Sequence, residues 1–298
     1  MSENRRAGLL FGLGAYLCWG IFPAFFPLLK PAGAAEILAH RIVWSFVFML
    51  IVLAVMRRLG DLRALGRRTW AQLALASALI AANWGIYVYA VNNGHVVDAA
   101  LGYFINPLVT VALGLVIFRE RLNPAQWAAL GTALVAVAVL TVEVGAPPYI
   151  GLGLALTFGL YGLVKKVVAA DPRVSVGVEA ALATPVAVGY LVVLQTAGHG
   201  TLVGYGGGHV ALLVLAGVIT ALPLLLFAAA AHRLPMVSLG LLFYLTPVMQ
   251  LSWGVLVGHE PMSAMRWLGF GLIWTALAVF TLDAIRRGRA DRLHKVSS

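Results

Sequence analysis

The stretch Leu101–Glu143 returns 140 positions later as Leu241–Asp283, and this repetition restricts the possible folds more than any other feature of the chain. Leu101 falls on Leu241, Pro107 on Pro247, Gly114 on Gly254, Glu120 on Glu260, Trp127 on Trp267, Gly131 on Gly271 and Thr141 on Thr281, without a gap, and the acid Glu143 meets the acid Asp283. Matches of Leu, Ala and Val are cheap in an apolar chain. Coincident Pro, Trp, Gly and acidic residues in one register are not, so the chain is read as an internal duplication. Earlier in each copy, Trp19-Gly20 is answered by Tyr161-Gly162 and Glu36 by Glu179, with a register drift of two or three residues that a loop absorbs.

Each copy carries five apolar runs, at 8–29, 36–56, 70–91, 97–118 and 124–143, then at 149–167, 174–195, 210–231, 236–257 and 264–285. The chain is 61% hydrophobic and 11% charged, with a mean hydropathy of +0.93. So much apolar surface exceeds what a water-soluble core can hide, and the runs have the length of membrane-spanning helices. Asn4-Arg5-Arg6 ahead of an apolar run resembles a signal peptide, with Ala32-Gly33-Ala34 as a cleavage site. The run from Ala7 to Leu29 is longer than the roughly 7–15 residues of a signal core, however, and Trp19-Gly20 belongs to the repeat, so it is read as the first span.

The formal charge of +10 is spread between the runs and not gathered on a face with stacking groups, which argues against a nucleic-acid partner. With the N-terminus in the cytoplasm, every Lys and Arg falls on that side except Lys30 and Arg266 outside and Arg41 within a helix. This is the bias expected of cytoplasmic loops beside anionic lipid, and it places both termini inside. Five spans per copy is an odd number, so the second copy enters the membrane from the opposite face. The expected architecture is an all-α membrane protein of ten transmembrane helices, arranged as two inverted five-helix repeats, 1–143 and 144–298, in one membrane domain. Inverted repeats of this kind build many secondary transporters, with the solute site near the midplane between copies.

Candidate pathway residues are those that are costly in lipid. Glu36, His40, Arg41 and Trp44 lie at the start of the second run, and an Arg or Asp at a helix centre costs about 2.5–3.5 kcal/mol on insertion scales. Glu36, His40 and Trp44 share a helix face. Arg41 points elsewhere and is expected to pair with Asp98 or Glu143, holding architecture or an anionic group, while Glu36 and His40 are available to protons. Snorkelling at the interface is the competing reading of the cluster. Asn83, Trp84 and Tyr87 suit an amphipathic solute or serve as interhelical glue. Trp19, Tyr161 and Glu179 are singled out by the symmetry of the halves. Pro107 and Pro247 are expected to bend their helices as a symmetric pair, with Tyr103 and Asn106 before one and Tyr244 before the other.

Asn123-Pro124-Ala125-Gln126 fits a capping box, and Ser263 keeps the cap in the second copy. Glu120 and Glu260, three residues earlier, are loop carboxylates expected to sit at those helix N-termini or to take part in gating. Lys165 and Lys166 are read as cytoplasmic anchors, and Gly206-Gly207-Gly208 between His199 and His209 as a flexible outer connection. Cys18 is the single cysteine, so neither a disulfide framework nor a cysteine metal site is expected. The sequence has no His-Glu-x-x-His, Walker A or Gly-x-Ser-x-Gly motif, so no metal, cofactor, catalytic residue or ATP-driven step is expected.

The strings Leu101-Gly102-Tyr103-Phe104-Ile105-Asn106-Pro107-Leu108, Glu36-Ile37-Leu38-Ala39-His40-Arg41, Asn83-Trp84, Ala90-Val91-Asn92-Asn93, Tyr161-Gly162-Leu163-Val164 and Pro223-Leu224-Leu225-Leu226-Phe227 resemble the RarD-type (chloramphenicol-sensitive protein) family. That family belongs to the EamA group of the drug/metabolite transporter superfamily. The resemblance runs nearly end to end and implies ten helices as two inverted five-helix repeats and a transporter of the bacterial inner membrane. Glu120 and Glu260 resemble the acid of a Gly-Glu pair that ends the fourth helix of EamA repeats, with Arg119 and His259 where the Gly stands. The expected function is a secondary transporter in the lipid bilayer, exporting a small metabolite or drug-like solute by alternating access, with protons as a candidate coupling partner and no oligomeric state specified. A lipid-carrier flippase and a membrane-embedded enzyme are the alternatives.

Overall fold

A computed structural model describes residues 3–93, 95–145, 149–257, 259 and 263–296. The described residues are helical with short connections. In order they are α1 (Glu3–Gly20), α2 (Phe22–Phe25) running into a 3-10 turn (Phe26–Leu29), α3 (Ala34–Val55), α4 (Arg67–Asn92), α5 (Val96–Ile117), α6 (Pro124–Val144), α7 (Tyr149–Val167), α8 (Pro172–Thr196), α9 (Gly206–Ala231), α10 (Met236–Phe243), α11 (Leu245–Leu256) and α12 (Ala264–Val296). Among the described residues, eight stretches are long and apolar enough to cross a membrane. Two apolar helices fall short, Leu101–Ile117 and Met236–Gln250, and these are the fourth run of each copy, the runs that carry Pro107 and Pro247.

The prolines do not act alike. α5 continues through Pro107, whereas the corresponding rod is interrupted at Tyr244, with Pro247 in the first turn of α11, where its missing N–H costs nothing. Gly240 lets α10 close on α5, because a Cβ there would stand 2.8 Å from the Pro107 carbonyl oxygen.

Pairings between the copies are reciprocal. α1 packs on α9 as α7 packs on α4, and α3 packs on α8, α5 on α10, and α6 on α12. The ends of α6 and α12 make this concrete. Asn123, the N-cap of α6, donates from Nδ2 to Asp283 Oδ2 at 3.0 Å, while Ser263, the cap of α12, donates from Oγ to Glu143 Oε1 at 2.6 Å. A shift of 140 residues turns one contact into the other, and the start of each helix meets the end of its partner, so the two run antiparallel. The capping box of α6 is complete, with Gln126 N–H on Asn123 Oδ1 (2.9 Å) and Asn123 N–H on Gln126 Oε1 (3.1 Å). In α12, Arg266 stands at the equivalent of Gln126 and pairs instead with Glu143, Nε to Oε1 at 3.2 Å.

Three expectations are corrected here. Glu120 does not serve the helix that follows it. Its carboxylate accepts Met236 N–H (2.8 Å) and Val237 N–H (2.9 Å) and so caps α10 of the other copy. Gly206–Gly208 form the first turn of α9 and not a loose connection, and His209 is buried beside Thr201. Lys165 is no snorkelling anchor: it is fully buried, its Nζ donating to Ser175 Oγ and, at 2.6 Å, to Glu179 Oε1. Glu260 lies outside the described residues.

Candidate functional site

The cavity begins with residues that cannot be left alone in lipid. Arg41, on α3, carries a guanidinium that stays protonated in proteins. Its Nε–H donates to Thr220 Oγ1 on α9 at 2.8 Å, and its guanidinium carbon lies 5.4, 5.2 and 5.2 Å from the ring centroids of Phe22, Phe26 and Trp84. Neither expected carboxylate partner, Asp98 or Glu143, is seen on Arg41. Glu143 is engaged by Ser263 and Arg266, the side chain of Asp98 lies outside the described residues, and among the described residues no acid lies within ion-pair distance of Arg41. Three aromatic faces supply part of the compensation instead, each worth about 0.5–2 kcal/mol. Pro23 and Pro27 break the end of the first span into α2 and its 3-10 turn, and this break brings Phe22 and Phe26 over the cation.

Around Arg41 lies a cavity of about 250 Å³, whose walls come from both sequence copies. The first contributes Trp19, Phe22, Phe26, Asn83, Trp84, Tyr87, Tyr103 and Asn106, the second Leu154, Phe158, Leu224, Phe243, Thr246 and Gln250. Asn83 spends both amide hydrogens on Leu154 O (2.8 Å) and Thr157 Oγ1 (2.9 Å), leaving Oδ1 as an acceptor. Asn106 Oδ1 accepts from Thr110 Oγ1 at 3.2 Å, and Gln250 Nε2 donates to Trp19 O at 3.2 Å. Tyr87 and Tyr103 meet edge to face at 6.4 Å. Continuous with the cavity wall at Phe158 and Phe243, Tyr16, Tyr161 and Phe227 complete a packed aromatic layer, with Tyr161 stacked on Phe227 at 5.9 Å.

The remaining singled-out residues are set apart from this cavity. Glu36 is buried, its Oε1 accepting from Thr201 N–H (2.6 Å) and Thr201 Oγ1 (3.1 Å), and Thr201 Oγ1 lies 2.8 Å from His209 Nε2. His40 Nε2 is 3.9 Å from Glu36 Oε1, and neither ring nitrogen of His40 has a hydrogen-bond partner among the described residues. Trp44 packs on Gly217, and its Nε1 is likewise unpartnered among those residues. Tyr161 OH donates to Glu179 Oε2 at 3.0 Å, completing the Lys165–Ser175–Glu179 cluster between α7 and α8. Tyr244 OH reaches Phe104 O at 3.4 Å, a contact between positions 140 apart and therefore equivalent in the repeat. The sequence thus brings Arg41, Trp19, Asn83, Trp84, Tyr87, Tyr103 and Asn106 to one place, and leaves Glu36 with His40, and Tyr161 with Glu179, as two separate polar clusters.

Thr201, Thr220 and the pair Phe22 and Phe26 escaped sequence reasoning. A lone hydroxyl in the apolar run of α9 was the available signal for Thr220, since polar groups in such a run need a partner.

Comparison with known proteins places these features in context. The model of the EamA-like transporter family matches residues 6–142. The protein RarD of Streptomyces exfoliatus is 48% identical over 98% of this chain and 93% of its own length. An uncharacterized transporter, YojE, of Bacillus subtilis (strain 168) is 42% identical over 98% and 99%, and the protein RarD of Escherichia coli (strain K12) is 38% identical over 95% and 97%. A solved crystal structure of a protein 18% identical in sequence matches with a TM-score of 0.72, covering 92% of this chain and 97% of its own, which shows a shared fold.

Proposed function

The chain belongs to the RarD-type branch of the EamA-like transporter family, a multi-pass membrane protein, and from that premise we propose that it moves a small metabolite or drug-like solute outward across the bacterial plasma membrane by alternating access. The observation that carries this reading is the cavity whose walls come from both sequence copies. The cavity is small, apolar for most of its lining and supplied with a few convergent polar groups, which is the character of a small-molecule site.

In this reading the chain crosses the membrane ten times as two inverted five-helix halves with both termini in the cytoplasm. The reciprocal Asn123–Asp283 and Ser263–Glu143 contacts support it, because an interface related by a two-fold axis must pair residue with residue in both senses. The aromatic layer of Tyr16, Tyr161 and Phe227 closes the cytoplasmic side of the pathway, and rocking of the halves opens it. The cluster of Glu36, Thr201, His209 and His40 couples that motion to protons: a protonated Glu36 gives up part of its hold on Thr201 and frees the segment before α9.

Comparison of extracellular metabolites from a deletion strain and an overexpressing strain tests the activity. At least one small solute should fall in the first and rise in the second; unchanged profiles in both would contradict the reading. Once that solute is known, Glu36→Gln in proteoliposomes should remove the response of its flux to a pH gradient. A response equal to the parent's would exclude Glu36 from coupling.

A further inference from the structure

Among the described residues the cavity holds a cation without a counter-charge, and that asymmetry bears on the class of solute. Arg41 uses only Nε–H among the described residues, on Thr220 Oγ1. Its terminal nitrogens make no hydrogen bond to a described residue and are not among the fully buried unpartnered atoms, and Arg41 lines the cavity. The rings of Phe22, Phe26 and Trp84 surround the guanidinium but offer no acceptor for these N–H groups. The natural complement of a guanidinium fork is a carboxylate, which accepts two parallel N–H bonds. Tyr87, Tyr103, Phe158 and Phe243 leave a mainly apolar chamber for the rest of the molecule.

We propose that the transported solute is a monocarboxylate with an aromatic or comparably apolar body, its carboxylate bound by the terminal nitrogens of Arg41. The proposal rests on the transporter reading and adds the substrate class to it. A dicarboxylate or a phosphate ester would bring charge that nothing else in the described cavity wall answers. A cationic solute would meet Arg41 as a like charge. An anion entering also relieves the cost of a guanidinium held away from water, so binding and desolvation favour the same ligand. Asn83 Oδ1 remains to accept a donor from the solute.

Three probes share one body and differ in charge: 3-phenylpropionate, 3-phenylpropionamide and phenethylamine. Calorimetric titration of the purified full-length protein in lipid nanodiscs should show the carboxylate binding at least tenfold more tightly than the amide, and the amine not binding. Arg41→Gln should abolish the preference for carboxylate over amide. Arg41→Lys, which keeps the charge but not the fork, should retain a reduced preference and serves as the folding control, together with an unchanged elution profile. Equal affinity for carboxylate and amide, a preference that survives Arg41→Gln in a folded variant, or no binding of the carboxylate at millimolar concentration would each overturn the proposal. Flux of the same probes in proteoliposomes separates the two levels of the account. Binding of the carboxylate without flux would refute transport and leave the ligand class standing, whereas Arg41-independent flux of the amide would refute the class and leave transport standing.

Discussion

Arg119 and His259 hold φ values of 52° and 49°, the left-handed region that β-carbon-bearing residues enter at a cost of roughly 1–2 kcal/mol. They are equivalent in the repeat, and each stands directly before an acid, so the backbone turns left-handed at that point in both copies. Arg119 is exposed, and Arg119→Gly should therefore raise the melting temperature of the detergent-purified protein, as should His259→Gly; a lower value would show that the side chains make contacts outweighing the backbone term. Glu120 performs the acid's part by accepting two backbone N–H bonds at the start of α10. Its replacement by Ala should destabilise by about 1–2 kcal/mol, the worth of a helix cap, and Glu120→Asp should recover part of this in the same thermal assay. Lys165→Met strands the buried Glu179 without its partner and should cost about 3–5 kcal/mol, while adding Glu179→Gln should recover much of the loss. If the single and double variants unfold alike, the pair is not coupled.

At the level of elements, α3 and α9 are held in contact by a glycine. A Cβ on Gly217 would collide with the Cβ and carbonyl carbon of Trp44 and stand 2.6 Å from the Ser45 nitrogen, and Ser45 Oγ donates to Gly217 O at 2.9 Å. Gly217→Ala should cost about 1–3 kcal/mol, as overpacking does. Because Thr220 is one turn away, it should also shift Arg41 and weaken solute binding, measured by titration against the same probes; unaltered binding would show that the two helices separate without disturbing the cation. Much of the element pattern was legible beforehand. Most of the apolar runs match helices within a few residues, while the first and the ninth are each interrupted and α12 continues past the last run to Val296; the α6 capping box follows from Asn123 and Gln126. Partners across the fold were not legible. Nothing local tells Glu120 that its helix N-terminus lies 116 residues away, or that Lys165 turns inward to Glu179 rather than outward to water. Periodicity reports which residues are buried, whereas the identity of a buried partner depends on how distant helices dock.

For the whole molecule, the repeat at 140 positions predicts more than a helix count: it requires equivalent loops on opposite faces of the membrane. Candidate site residues divide along the same line. Those on Arg41's side of the bundle were found because charged and polar groups are costly in lipid, while Thr201 was overlooked because only docking of the two copies brings it to Glu36, and Phe22 because only the break at the end of the first span turns it over Arg41. The loop before α6 and the loop before α12 provide the decisive comparison. In a Cys18→Ser background, Arg121→Cys puts a thiol at an exposed position in the loop before α6, and Ala264→Cys puts one at the exposed first residue of α12. Labelling of intact cells with a membrane-impermeant maleimide should modify the Ala264→Cys variant directly and the Arg121→Cys variant only after the membrane is permeabilised. Equal labelling of both in intact cells, or of neither, would contradict the inverted arrangement on which the shared cavity depends.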